Sequence, residues 1–347
     1  MSASRVGRAG LKSAKGAASA AAAPRPSPKH KLQPPSGTTP TLSKRANPLL
    51  TNFHNHPPST TTLLTPRMMT IMGVSILGIS TYIGYLYASY TREVTHSQSL
   101  AVSSDVTDRY NRTARTFDAD VNMSETLMRL GSKRRELVQR ARGDVLEVSC
   151  GTGRNIEYYD FEPRRGLVDE KKGVVGMRGC QSVTFVDLSP QMVEIAEQKF
   201  KEVHPELVRS GRVEFRVQDA AQVTPPSQKL TNTKQRQRGC FDTVVQTMGL
   251  CSLPDPVGTL RHLGTLVEPQ RGEILLLEHG RSYYGWLNRV LDNLAPAHAD
   301  RHGCWWNRDI GEIVRESGLE VVEEKRWHFG TTWKYVLRPP RKAACEK

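Results

Sequence analysis

An α/β fold is what this 347-residue sequence predicts: a mostly parallel seven-stranded sheet closed by a C-terminal antiparallel hairpin. Three observations predict it. Between Asp144 and Pro339, short β-branched apolar runs alternate with helix-periodic stretches, as parallel strands linked by crossover helices require. The first of these runs ends directly in a Gly-containing turn. The last two are separated by only a few residues, and strands joined that tightly pair antiparallel, because a parallel pair needs a crossover.

In chain order, strands are expected at Val145–Val148, Val183–Val186, Val213–Val217, Thr243–Gln246, Ile274–Leu277, Leu319–Trp327 and Thr332–Leu337. Helices are expected at Asn155–Tyr159, Pro190–Val203, Val257–Val267 and Arg308–Ser317. Two polar inserts, Asp160–Gly179 and Thr224–Gly239, read as solvated loops; the second is basic.

The formal net charge is +14, but it is unevenly placed. Ten Lys and Arg and no acid fall between Met1 and Arg67, and the first acid is Glu93. The remaining 280 residues carry 39 basic and 35 acidic side chains, so the high charge belongs to the leader and does not indicate a nucleic-acid-binding domain. Residues 1–30, with Arg5, Arg8, Lys12, Lys15 and Arg25 among Ala, Ser and Gly, have the composition of a mitochondrial transit peptide. The Pro-, Ser- and Thr-rich residues 31–67 read as a disordered linker.

Residues 68–90 contain no charge and, as a helix of roughly 34 Å, would cross a hydrocarbon core. Arg67 and Arg92 bracket them, and Tyr82, Tyr85, Tyr87 and Tyr90 gather at one end as an interfacial belt would. A buried core helix is the alternative, disfavoured because no partner helices lie nearby. The domain itself is expected over 101–340.

The strongest chemical signal is Val145-Leu-Glu-Val-Ser-Cys-Gly-Thr-Gly-Arg-Asn155. Gly151 and Gly153 remove Cβ atoms where the backbone must bend and approach a ligand, and the following helix start offers free N–H groups. Glycine at 156 would complete a dinucleotide pattern, but that position is Ile156. Glu147, four residues before the first glycine, suits a cationic ligand better than a pyrophosphate. Asp187 ends the second strand, where it can accept two ribose hydroxyls, and Asp219 with Ala220 follows the third, placed for an exocyclic amine. Singly, each acid also reads as a solvated strand end or a helix cap.

With these residues the chain resembles the class I S-adenosylmethionine-dependent methyltransferases, which have a Rossmann-like sheet. Ser149 stands where their first motif has a glycine. The resemblance implies that Glu147, Ser149, Gly151 and Gly153 lie against the methionine part of S-adenosyl-L-methionine. It implies likewise that Asp187 holds the ribose, Asp219 and Ala220 face the adenine, and Gln246 and Thr247 line the mouth. Through Tyr110, Phe117-Asp118 and the upstream apolar segment, the chain is similar to a fungal mitochondrial inner-membrane methyltransferase-like family known from suppression of an oxidase-assembly defect. Leu250-Cys251-Ser252 and Glu278-His279 give a more distant likeness to membrane-anchored thiol and quinone-ring methyltransferases.

The function expected is methyl transfer to a small apolar or quinone-like acceptor, by an enzyme spanning the inner membrane once with its domain on the intermembrane side. A catalytically silent scaffold that binds the cofactor and assists respiratory-complex assembly is the alternative. A nicotinamide oxidoreductase is disfavoured by Ile156 and Glu147. His279 and Tyr110 are the candidate bases, and the aromatics of 283–306, Trp286 among them, are candidates to grip the acceptor or the membrane surface. The six cysteines (150, 180, 240, 251, 304 and 345) show no C-x-x-C pairing, and Cys251 reads as a small buried hydrophobe, so no metal site is expected.

Overall fold

The computed structural model describes residues 65–169, 174–224 and 240–340. The expected leader (1–30), nearly all of the linker (31–67) and all but Thr224 of the basic insert lie outside the described residues. Eight strands form one sheet: β1 (Arg142–Val148), β2 (Arg164–Asp169), β3 (Val174–Asp187), β4 (Val213–Val217), β5 (Thr243–Thr247), β6 (Glu273–His279), β7 (Glu320–Trp327) and β8 (Thr332–Arg338). Across the sheet the order is β4-β3-β1-β5-β6-β8-β7. The first five of these are mutually parallel, and β8 is antiparallel to both β6 and β7. The seven expected strands are therefore all present, with the hairpin at the edge. β2 is an eighth strand and a correction: part of the insert Asp160–Gly179 pairs antiparallel with the start of β3, Arg164 opposite Arg178 and Gly166 opposite Gly176. Its two arms, RRGLVD and VVGMRG, show no apolar/polar alternation and are rich in glycine and charge, so the segment read as a loop.

Both faces of the sheet are covered. Leu146, Val148, Ile274 and Leu276 pack beneath α6 (Pro256–Leu266) and α8 (Ile310–Ser317). Val145, Val245, Leu275 and Leu277 face the other way, toward α4 (Leu130–Val138) and α5 (Pro190–Val203). Burial on both sides explains why β5 and β6 read as continuous apolar runs rather than alternating ones. Ser189, Asp255 and Asp309 cap the helices α5, α6 and α8, each accepting from a backbone N–H in the first turn. The expected helix at Asn155–Tyr159 is instead a three-residue 3₁₀ turn, Ile156–Tyr158. Glu147 accepts from both the Asn155 and Tyr159 side chains, so both ends of this segment are tied to β1.

α1 runs from Pro66 to Ser99, 34 residues, beyond the 68–90 expected. No glycine or proline interrupts Thr91–Ser99, and that last part is docked: the Asn293 amide donates to Tyr90 Oη at 2.9 Å, and the Ala297 backbone N–H to Ser97 Oγ at 3.2 Å. Both partners lie on α7 (Gly285–His302), Ala297 just past Pro296, where the helix ladder is interrupted. The apolar part of α1, from Met68 to Tyr87, is exposed. Among the described residues it is the one helix long and apolar enough to cross a membrane.

Candidate active site

The chain passes outward from β1 to β3 and β4, then returns to β5 and β6 on the other side. The switch point therefore lies between β1 and β5, and ligands of open α/β sheets bind outside the carboxyl ends of the strands at such a point. The turn after β1 and the loop after β5 flank it.

The turn is shaped by positive φ at Ser149 (52°), Gly151 (54°) and Gly153 (75°). Its two glycines have different jobs. A Cβ on Gly151 would meet nothing within 4 Å, so this backbone faces open space. One on Gly153 would stand 2.4 Å from Ile156 Cδ1 and 3.2 Å from Ala196 Cα, so this glycine admits α5 rather than a ligand. Ser149 takes the left-handed conformation at a cost of about 1–2 kcal/mol that glycine would avoid. Its hydroxyl lies 3.5 Å from Gln246 Nε2, while Gln246 Oε1 is buried without a partner among the described residues. Asp187 ties the turn to the end of β3: Oδ2 accepts from the Gly151 N–H and Oδ1 from the Ser189 N–H, both at 2.9 Å. Burial raises its pKa against these two donors.

Glu147 does not face open space. It is buried, its Oε1 accepting from Asn155 Nδ2 at 3.0 Å and its Oε2 from the Tyr159 hydroxyl. Burial pushes its pKa up to about 7, opposed by those hydrogen bonds. Here it braces the turn from beneath and makes no open contact surface for a cation. The same network takes in Thr247 and the buried Arg134, which donates to Asn155 and pairs with Glu125 at 2.8 Å. From above, Asp118 of α3 (Phe117–Leu127) accepts from Thr152 and pairs with Arg154 and Lys199. Asp219 caps a short 3₁₀ turn by accepting from the Ala221 N–H at 2.9 Å, and Ala220 is buried behind it.

A second constellation gathers around the ends of β5 and β6. Glu278, fully buried, accepts from the Gly249 and Leu250 N–H groups at 3.2 Å each and so holds the loop that presents Cys251. Burial, then the Cys251 charge, pushes Glu278 up to about 8. His279 ends β6 with Nε2 2.7 Å from Cys304 Sγ. Cys251 is held well below the usual thiol range by hydrogen bonding from Cys304 and by His279, although burial works the other way. Burial alone would lower His279, but the Cys251 charge raises it. Tyr110 of α2 (Thr107–Thr113) closes this corner, with its hydroxyl 2.6 Å from Ser252 Oγ. Burial, then Cys251 and Cys304, raises the phenol well above its usual value.

The two candidate bases are therefore adjacent, but neither is poised as a free base. Tyr110 keeps its proton, and His279 points its Nε2 at a thiol. The sequence reading gave no role to Asn155, Ser252, Arg134 or Cys304, although Asn155 stands inside the turn motif and Ser252 directly after Cys251; Arg134 and Cys304 come from distant segments with no spacing signal.

The fold and the turn define an α/β domain that takes a ligand across the carboxyl edge of its sheet. More specifically, the chain belongs to the methyltransferase-domain family, whose model matches residues 117–324. It is similar to the mitochondrial methyltransferase OMS1 of Saccharomyces cerevisiae, 41% identical over 246 residues, which cover 70% of this chain and 48% of that one. The chain thus spans about half the length of that relative. Among solved structures it is similar to the N-methyltransferase NodS of Bradyrhizobium japonicum in complex with S-adenosyl-L-homocysteine. Identity there is 14%, coverage 68% of this chain and 99% of that one, and the TM-score 0.44. It is also similar to the magnesium protoporphyrin IX methyltransferase of Synechocystis with bound S-adenosylmethionine, with 16% identity, 69% and 99% coverage and a TM-score of 0.40.

Proposed function

We propose that this chain is an S-adenosylmethionine-dependent methyltransferase held at a mitochondrial membrane by α1. The observation that carries the reading is the family match over 117–324, which begins at Phe117 and includes the glycine turn and Asp187. The residues at the switch point fit the cofactor. Gly151 leaves room beside the turn, Gln246 offers an unpartnered buried acceptor, and the Asp187 carboxylate has lone pairs beyond its two backbone donors. Asp187 would hold the ribose hydroxyls, Asp219 and Ala220 the adenine, and Ser149, Gly151 and Gln246 the methionine end, with Glu147 bracing the turn through Asn155.

When bound, the cofactor supplies a methyl group on a sulfonium, transferred by in-line displacement. The chain's own contribution is then alignment and exclusion of water. Asp118, locked onto Thr152 and Arg154, closes the turn from outside, and Tyr110, protonated, is a hydrogen-bond donor beside the mouth.

For the membrane, the exposed apolar length of α1 supports a single span, and the relative's mitochondrial name supports the organelle. α1 and α7 run in the same direction, Tyr90 beside Asn293 and Ser97 beside Ala297. The exposed part of α1 therefore leads past the start of α7, where Tyr283, Tyr284, Trp286 and Phe329 are all exposed. These aromatics suit a membrane interface better than a closed acceptor pocket. A small apolar or quinone-like acceptor, drawn from the bilayer, fits that placement. The inner membrane and the intermembrane side remain part of the proposal, tested by protease protection in mitoplasts: a protected domain overturns the sidedness.

The enzymatic reading is tested by calorimetric binding of S-adenosylmethionine to the full chain in detergent, wild type against Asp187→Ala. Micromolar binding weakened about 100-fold is expected, since two charge-assisted hydrogen bonds are removed. A folded wild type that binds nothing overturns it. Binding without methyl transfer to any apolar acceptor favours the scaffold that assists respiratory-complex assembly.

A further inference from the structure

The second constellation lies outside the residues assigned to the cofactor, and its donor set is specific. Cys251 Sγ, the imidazole of His279 and Cys304 Sγ all lie within 4.8 Å of one another. They come from three separate places in the chain: the loop after β5, the last residue of β6, and the turn after α7. Ligand atoms on a tetrahedral zinc stand roughly 3.5–3.8 Å apart, given Zn–S of about 2.3 Å and Zn–N of about 2.0–2.1 Å. The 2.7 Å approach of His279 Nε2 to Cys304 Sγ must open by about 0.8 Å, and any pair near the 4.8 Å limit must close by about 1 Å, adjustments within the reach of side-chain rotation.

The backbone holds all three in place without help from the side chains themselves. Glu278 fixes the Gly249 and Leu250 N–H groups immediately before Cys251. The Trp305 N–H donates to the Cys251 carbonyl at 3.2 Å and clamps the Cys304 segment against it. Gly303, at φ 69°, ends α7 and turns Cys304 inward. His279 is fixed in the ladder between β6 and β8, opposite Thr332. Both cysteines are buried, whereas His279 keeps some accessible surface, so the cluster has one open side. Ser252 Oγ borders the cluster 3.5 Å from Cys251 Sγ and 2.6 Å from Tyr110 Oη.

We propose that Cys251, His279 and Cys304 bind one Zn²⁺, with a fourth position left open beside Ser252 and Tyr110. Two thiolates and a neutral imidazole suit this borderline-soft ion and leave a site of zero net charge, as buried surroundings require. Three protein ligands with one open position is the arrangement of catalytic rather than structural zinc. Binding releases the thiol protons to solvent. An acceptor's thiol or hydroxyl oxygen in the open position would lose its proton more readily, as water does on zinc, which supplies the activation that neither Tyr110 nor His279 provides as a free base. Only this last step rests on the methyltransferase reading; the metal site does not.

The test is the full chain in detergent, purified under reducing conditions, stripped with chelator and reloaded with Zn²⁺ or Co²⁺ alone. About one ion per chain is expected by elemental analysis, and the Co²⁺ form should show a thiolate-to-metal charge-transfer band and tetrahedral visible bands. Cys251→Ala and Cys304→Ala should each retain roughly a tenth or less of the metal, while Cys180→Ser keeps all of it. S-adenosylhomocysteine binding by the variants reports separately on their fold and on the cofactor site. A wild type that takes up no metal and shows no charge-transfer band overturns the proposal whatever the variants do. Full metal retention in Cys304→Ala also overturns it, as does a reductant-sensitive Cys251–Cys304 disulfide in the native protein.

Discussion

The two corners of the sheet's carboxyl edge each rest on a buried glutamate at the end of a strand, and there the likeness stops. Glu147 braces its own neighbours: Asn155 and Tyr159 are eight and twelve residues away, and the whole turn is one continuous stretch. Glu278 holds a loop 28 and 29 residues distant, and the side chains gathered there come from positions 110, 251, 279 and 304. The first corner is built on one continuous stretch, which Asp187, Thr247 and Arg134 then tie to the rest of the domain. The second exists only once β5, β6, α2 and α7 have been packed together. A functional site of the first kind announces itself as a motif; one of the second kind does not.

Experiments that separate the corners should show the largest effects at the turn. Gly153→Ala forces a Cβ into Ile156 and the α5 backbone at a positive φ, and should cost roughly 2–4 kcal/mol. Gly151→Ala, facing open space, should cost about 1 kcal/mol by its φ alone while weakening cofactor affinity more than Gly153→Ala does per unit of stability lost. Urea melts with and without S-adenosylhomocysteine check this, and equal stability losses would erase the distinction between the two glycines.

The next effect is in pH. Glu147 keeps its proton up to about 7 when folded, against about 4.5 in the unfolded chain. Between those values the unfolded chain binds fewer protons, so this group makes stability fall as pH rises, by up to about 3 kcal/mol, with no further change above pH 7. Glu147→Gln should flatten that fall, and the difference between the urea curves of the two proteins across pH 4.5–8 measures it. Parallel curves would mean that the turn does not depend on this proton. The smallest effect is Ser149→Gly, which should raise stability by about 0.5–1 kcal/mol by relieving the left-handed backbone, with chain entropy offsetting part of the gain.

Most of the fold was legible because two-sided burial writes itself into composition. β4 and α5 have the bounds the sequence predicts, and the antiparallel β7–β8 hairpin follows from its short connection. β2 was missed because a solvated hairpin has no buried face to impose a pattern, and α7 was not expected as a helix, only its aromatics being noted, because its helical face is only partly buried. At the site, the motif residues Ser149, Gly151, Gly153, Asp187 and Gln246 do converge on the switch point. Glu147 was placed correctly on β1 but given the wrong surroundings, because a strand's alternation says which face a side chain takes and not who already occupies it.

The sequence by itself determined the individual strands, the turn after β1 and the apolar helix before the domain, since each is written in a run of neighbouring residues. Only the tertiary structure decided that α1 continues past Tyr90 to dock on α7, that one glycine serves a helix and the other open space, and that two cysteines and a histidine meet. Contacts between residues far apart in the chain leave no periodic trace in it; they are set by which elements the core brings side by side.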